Sequence, residues 1–308
     1  MRTVRMTSTV AVAALVLTFG QPARAAAPTV QPSTRADALT AMHGEAFAHA
    51  KYLAYAQEAA RAGQTAVAQL FTRAARTERY DHFAAEADLI GFGTDNVANL
   101  TDAIRGEEYE AYVMYPAFAR QAVADGCRAA ADLFTEISVD EAGHAREFRA
   151  ARYAITHPGA DQNFPVGTRV TPVPIRAGLP KCAGQTQANL DAALHGEAFA
   201  NAKYTRYAEN ARATGQARLG RLFDNAASQE IGEHFAEEAT LAGLVRSTDA
   251  NLRDSINGEQ YEATTMYPSF ARRAARVGDA SAADLFTEIA GDEAGHAYAF
   301  TLALINLG

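Results

Sequence analysis

The sequence predicts an all-α protein built as two four-helix bundles in tandem, and three observations predict it. Long stretches carry apolar residues at 3- and 4-residue spacing, without the alternation of strands. Alanine, the best helix former, is abundant throughout. The chain also repeats itself. HGEAFAHAKY at 43–52 returns as HGEAFANAKY at 195–204, GEEYEAYVMYPAFAR at 106–120 as GEQYEATTMYPSFAR at 258–272, and EISVDEAGHA at 136–145 as EIAGDEAGHA at 288–297. The offset is 152 in all three cases, too long for a solenoid period and fitting one domain duplicated without insertion.

Taken in order, residues 1–25 read as a signal peptide. Arg2 and Arg5 precede a short apolar core at 10–19, and Ala23-Arg24-Ala25 offers a cleavage site. No twin arginine and no cysteine near that site point to general secretion without a lipid anchor, and so to a periplasmic or secreted protein. In such an oxidising compartment Cys127 and Cys182 either pair or stay as two thiols. The first repeat, 35–155, reads as helices near 35–62, 66–90, 97–125 and 128–155, punctuated by Gly63, Gly91, Gly93 and Gly126. Residues 156–186 hold Pro158, Pro165, Pro172, Pro174 and Pro180 and form a linker. The second repeat, 187–308, has helices near 187–214, 217–243, 249–277 and 280–306. Short connections between the first and second helices, and between the third and fourth, make those pairs antiparallel neighbours. The sequence leaves open whether helices are exchanged between the repeats.

Composition excludes several functions. Lys and Arg total 28 against 36 Asp and Glu among 308 residues, which disfavours nucleic acid as a partner. Loss of the three arginines of 1–25 would leave 25 basic and 36 acidic residues, a formal charge of −11. No apolar run reaches the ~18–20 residues of a membrane span.

Carboxylates sit where a core belongs. In the fourth helix Phe134, Ile137, Glu141, His144 and Phe148 share one stripe, repeated as Phe286, Ile289, Glu293, His296 and Phe300. The third helix aligns Leu100, Ile104, Glu107, Glu110 and Met114, and its copy Leu252, Ile256, Glu259, Glu262 and Met266. The second aligns Phe71, Ala75, Glu78 and Asp81, and its copy Phe223, Ala227, Glu230 and Glu233. One turn on the copies differ, with Ala85 in the first and Glu237 in the second. The first helix adds Glu45 with Tyr52, and Glu197 with Tyr204. One unpaired buried carboxylate costs several kcal/mol, and five or six together raise one another's pKa. Two divalent cations would neutralise the set. Glu residues from some helices and Glu-x-x-His from others form the di-iron or di-manganese arrangement of helix bundles. Oxygen-rich donors with one imidazole suit iron or manganese better than structural zinc.

These residues resemble the rubrerythrin family, ferritin-like non-haem di-iron proteins. The resemblance rests on Gly44-Glu45 with Tyr52, on Gly106-Glu107-Glu108-Tyr109-Glu110 followed by Met114-Tyr115-Pro116, on Glu141-x-x-His144, and on their copies in the second repeat. It covers almost all of 35–155 and 187–306 and implies two ferritin-like bundles, each holding two irons. The implied ligands are Glu45, Glu78, Glu107, Glu110, Glu141 and His144, and in the second repeat Glu197, Glu230, Glu259, Glu262, Glu293 and His296.

Three departures stand out. The family's second helix usually reads Glu-x-x-His; here it is Glu78-x-x-Asp81 and Glu230-x-x-Glu233, with His82 and His234 one place later. We therefore expect Asp81 and Glu233 as extra carboxylate ligands, and His82 and His234 on the flank. The rubredoxin-like site of four cysteines found in many family members cannot form from two cysteines, so an external electron donor is expected. The tandem repeat is the third, with a dimer-like pair of bundles in one chain; further oligomerisation is open. The resemblance implies a peroxidase that reduces hydrogen peroxide with electrons from that donor. A ferroxidase oxidising ferrous iron with oxygen or peroxide, and a metal-buffering structural bundle, are the alternatives. Tyr52, Tyr115, Tyr204 and Tyr267 either donate hydrogen bonds to ligand carboxylates or are core residues with a satisfied hydroxyl.

Overall fold

The computed structural model describes residues 29–157, 159 and 164–307; the expected signal peptide at 1–25 lies outside them. Among the described residues eight helices follow one another and match the predicted ranges closely. They are α1 (Pro32–Arg61), α2 (65–89), α3 (96–124), α4 (Arg128–Thr156), α5 (Gly184–Ala213), α6 (217–242), α7 (248–277) and α8 (Ala280–Ile305). Local chemistry sets several ends. Pro32 opens α1, where its missing N–H costs nothing. Asp95 caps α3 by accepting from the Ala98 N–H at 2.7 Å.

Four helices are not α-helical throughout. One π-helical turn interrupts each of α2, α3, α6 and α7, at Glu78–His82, Glu110–Met114, Glu230–His234 and Glu262–Met266. In each, the N–H of the residue after the turn bonds back five residues, to the carbonyl of Glu78, Glu110, Glu230 or Glu262. Every turn thus starts at an expected ligand, and such turns gather at functional sites.

The bundles do not follow the repeats. Each repeat folds as two antiparallel hairpins, α1/α2 and α3/α4, then α5/α6 and α7/α8. Bundle I joins α1/α2 to α7/α8; bundle II joins α5/α6 to α3/α4. The domain limits 35–155 and 187–308 therefore mark repeats in sequence, while each folded bundle draws one hairpin from each. Reciprocal contacts fix this exchange. Tyr55 donates to Asp254 at 3.0 Å and Tyr207 to Asp102 at 2.9 Å. Lys51 pairs with Asp254 at 3.2 Å, and Lys203 with Asp102 at 3.5 Å.

The bundles meet along α1 and α5, whose alanine-rich faces permit close approach. His43 stacks on Phe199 and Phe47 on His195, with ring centroids 3.6 and 3.8 Å apart. Each contact is the repeat image of the other, as an internal two-fold requires. Within each bundle, apolar layers lie on both sides of the acidic level. Phe71 and Phe300 close one side in bundle I, with Phe83 and Phe286 on the other; Phe223 with Phe148, and Phe235 with Phe134, do so in bundle II.

The linker breaks the symmetry, because its backbone bonds to α6 and the turn after it and, among the described residues, not to α2. The N–H groups of Val173, Gly178 and Lys181 donate to the carbonyls of Gly232, Val245 and Leu241 at 2.7, 2.9 and 2.9 Å. Gly243, at φ +66°, lies so close to Leu179 and Pro180 that a Cβ would fall 2.4 Å from the Pro180 nitrogen. Cys182 is disulfide-bonded to Cys127, which settles the alternative the sequence left open and staples the linker to the start of α4.

Candidate metal centres

The hairpin exchange decides which carboxylates meet. In centre I, Glu45 from α1 and Glu78 and His82 from α2 converge with Glu259 from α7 and Glu293 and His296 from α8. In centre II, Glu197 from α5 and Glu230 and His234 from α6 converge with Glu107 from α3 and Glu141 and His144 from α4. One donor atom each from Glu45, Glu78, His82 and Glu293, and from Glu78, Glu259, Glu293 and His296, fall within 4.8 Å of one another; bundle II repeats both groups. Glu78 and Glu293 belong to both groups of centre I, and Glu230 and Glu141 to both groups of centre II, the sharing that a pair of bridged cations requires.

The imidazoles point inward through Nδ1. His82 Nδ1 lies 3.0 Å from Glu78 and Glu293, and His296 Nδ1 lies 3.1 Å from the same two carboxylates. In centre II, His234 Nδ1 is 3.0 Å from Glu230 and 3.1 Å from Glu141, and His144 Nδ1 is 2.9 Å from Glu141 and 3.2 Å from Glu230.

This corrects one expectation. Asp81 is exposed and outside the cluster, and Glu233 is half-buried on the outer side of His234; His82 and His234, expected on the flank, are the residues inside. The π-helical turn is the reason. Its wider i→i+5 register keeps the side chain four residues after Glu78 or Glu230 on the inner face and swings the one three residues after away. Spacing counted on an ideal α-helix assigns these two positions the wrong way round.

Glu110 and Glu262 line the centres without joining the four-donor groups. Their carboxylates reach Gly196 and Gly44, within 3.8 and 3.5 Å of where a Cβ would stand, an ordinary packing distance. Each of the four tyrosines is a buried residue whose hydroxyl meets a carboxylate of a centre. Tyr52 donates to Glu259 and Tyr204 to Glu107, while Tyr267 donates to Glu45 and Tyr115 to Glu197. The Tyr267 and Tyr115 hydroxyls also lie 2.9 and 3.0 Å from the carboxyls of Glu86 and Glu238. These two fully buried glutamates escaped the sequence reading, though both stand four residues after the inner histidine and recur at the 152 offset.

The electrostatics demand positive charge. Burial first, then charge from neighbouring glutamates, pushes Glu86, Glu110, Glu141, Glu238, Glu262 and Glu293 well above the ordinary carboxylate range. Burial raises Glu45 and Glu197 to about 7. Burial opposes ionisation of Glu78 as well, but the His296 and His82 imidazoles beside it outweigh burial and hold it at about 2. The imidazoles respond in kind: against burial, the surrounding glutamates raise His82, His144 and His234 far above their ordinary value, and His296 to about 12. Without cations, protons carry the neutralising charge.

The donors also fit cations by what they lack. Glu78 Oε2 and His82 Nδ1 approach to 3.0 Å, yet neither makes a directed hydrogen bond. Glu107, Glu230, Glu259 and Glu293 each keep a buried oxygen without a partner. Orphaned buried acceptors aimed at a common point are costly unless a cation occupies it. Carboxylate oxygens with imidazole nitrogen match iron or manganese.

Comparisons with known proteins agree with this chemistry. The rubrerythrin family model matches residues 90–152 and 188–304. Nigerythrin of Nitratidesulfovibrio vulgaris is 38% identical over 133 residues, covering 39% of this chain and 66% of the relative. Rubrerythrin of the same organism is 35% identical over 125 residues, 36% of this chain and 65% of the relative. Rubrerythrin of Porphyromonas gingivalis is also 35% identical over 125 residues, 36% of this chain and 62% of the relative. The chain thus spans just under two thirds of the length of these relatives. No solved structure matches it significantly.

Proposed function

Because the chain belongs to the rubrerythrin family of di-iron carboxylate proteins, we propose that each centre binds two iron ions and reduces hydrogen peroxide to water with electrons from a separate donor. The observation that carries this reading is the sharing of Glu78 with Glu293, and of Glu230 with Glu141, between two donor groups in one buried pocket. Bound as a ferrous pair, iron supplies both the Lewis acidity and the two electrons that cleavage of the O–O bond consumes. The protein's own groups do the rest. Tyr52 and Tyr204 hold Glu259 and Glu107 through their hydroxyls, and Tyr267 and Tyr115 hold Glu45 and Glu197. Glu86 and Glu238, raised well above the ordinary carboxylate range, keep protons in store behind those tyrosines. The two protons that peroxide reduction consumes can be drawn through that pairing. The apolar layers above and below exclude bulk water.

The disulfide and the signal-peptide pattern of residues 1–25 support an exported protein, which acquires its metal outside the cytoplasm. Comparison of the chain in whole cells and in the extracellular fraction, with its N-terminal residue determined, tests this; an intact Met1 in the cytoplasm would refute it.

Rapid mixing of anaerobic, ferrous-loaded protein with hydrogen peroxide and separately with oxygen tests the activity. A peroxidase gives faster ferric absorbance with peroxide and repeated turnover once an artificial donor is supplied. Faster oxidation by oxygen, ending when bound iron is spent, identifies a ferroxidase instead.

A further inference from the structure

His234 faces two ways. Its Nδ1 lies among the carboxylates of centre II, while its Nε2 points outward, 3.5 Å from Asp140 Oδ2. The ring is almost wholly buried, and Nε2 makes no hydrogen bond. A donor atom each from Asp140, Glu233 and His234 lies within 4.8 Å of the other two, and Asp140 and Glu233 are partly open to solvent. Two further acids extend the group outward. Glu136 stands one turn before Asp140 on α4, and Glu237 one turn after Glu233 on α6, so two acidic i,i+4 pairs face each other. Burial, followed by the charges of Glu136 and Glu233, raises the Glu237 carboxyl above its ordinary value. Glu136 and Glu237 also line an open groove between α4, α6 and the linker.

Bundle I lacks this device. Asp292 still approaches His82 Nε2, at 3.5 Å, but the facing positions on α2 are Asp81 and Ala85. Among the described residues, no corresponding three-donor group forms there.

We propose that Asp140, Glu233 and His234 Nε2 form a loading site, which takes a divalent transition-metal cation from solvent and passes it to centre II. The proposal rests on the di-metal reading of that centre. In the metal-free protein both nitrogens of His234 carry protons; the arriving cation displaces the Nε2 proton to solvent, and the neutral imidazole that remains offers one nitrogen to a metal at a time. With the cation outside on Nε2, the Nδ1–H donates to the inner carboxylates; with the cation inside on Nδ1, the Nε2–H donates to Asp140. The outer site therefore empties as the centre fills.

Anaerobic mixing of the metal-free full chain with cobalt(II), followed by visible absorbance and by final metal content, tests this. Wild type fills to four cations per chain in two phases. Glu233→Ala with Glu237→Ala slows one phase by at least about ten-fold, leaving the other phase and the final content unchanged. Asp81→Glu with Ala85→Glu speeds the other phase. Glu233→His, which keeps a ligand but drops a charge, loads within about three-fold of wild type, whereas a site that only steers cations by charge loses the ten-fold. Unchanged loading in the double alanine variant overturns the proposal. So does a lower final content, which would make Glu233 a ligand of the centre itself. Failure of wild type to bind cobalt would sink the di-metal reading instead.

Discussion

Centre I and centre II hold the same residue types at the same spacing, and differ in what stands behind them. In centre II, His144 Nε2–H donates to Gln229 Oε1 at 3.1 Å, which fixes the ring with Nδ1 toward the carboxylates. The repeat image of Gln229 is Thr77, too short to serve His296 in this way. His144 is 4% exposed and His296 18%. The linker crosses the helix that bears Glu230 and not the one that bears Glu78. Centre II is thus the more braced and enclosed, and centre I the more open. Ligand identity alone does not make two sites equivalent; the partners of the ligands set how firmly each is held.

The largest expected effect tests which residues share a centre. Glu78→Ala with Glu293→Ala removes two ligands of centre I and halves the bound metal. Glu78→Ala with Glu141→Ala, both in the first repeat, damages both centres and abolishes binding. Metal analysis of purified variants decides; the reverse pattern would place the centres within the repeats and break the exchange.

The next effect concerns Gln229. Gln229→Ala lowers the metal affinity of centre II by about ten-fold or more, and Thr77→Gln raises that of centre I. Resolved titrations check this, and wild type itself should show two affinities. A single phase filling both centres removes the comparison.

A smaller, shared effect comes from pH. Glu45 and Glu197, raised to about 7, bind protons in the folded chain that the unfolded chain has released above its ordinary carboxylate value. His296, raised to about 12, does the same above the ordinary imidazole value. The folded state thus holds more protons across this window, so the metal-free protein loses stability between about pH 5.5 and pH 8. Its melting temperature falls across that range, while the metal-loaded protein, with cations in place of protons, rises or stays level. Parallel melts of both forms check the sign.

The smallest effect should be equal in the two centres. Tyr52→Phe and Tyr204→Phe each remove one hydroxyl from a carboxylate, a loss of about 0.5–1.5 kcal/mol. Each variant should weaken metal retention against a chelator to the same modest degree. A clear inequality would extend the asymmetry to the tyrosines.

Much of this was legible in the sequence, and the gaps have physical causes. The eight helices follow from periodicity and glycine punctuation, and the acidic level from carboxylates between phenylalanines in one stripe. The exchange of hairpins was not legible, because a repeat with a 152-residue offset offers Glu259 and Glu107 to Glu45 with the same local pattern. The placement of His82 and Asp81 failed for a narrower reason. It turned on one extra residue in a helical turn, which side-chain periodicity does not register. Glu86 and Glu238 fall off the ideal α-helical stripe, which runs through Ala85 and Glu237 instead, because the same turn shifts the inner face by one residue.

The hairpin exchange carries one more consequence. Two identical subunits that traded hairpins would build two identical centres, and any substitution would strike both. With both halves on one chain, every residue of each pocket is encoded separately. Gln229 can exist without a counterpart at Thr77, and Glu237 without one at Ala85. A single chain thus lets the two pockets differ, one braced and enclosed, the other more open.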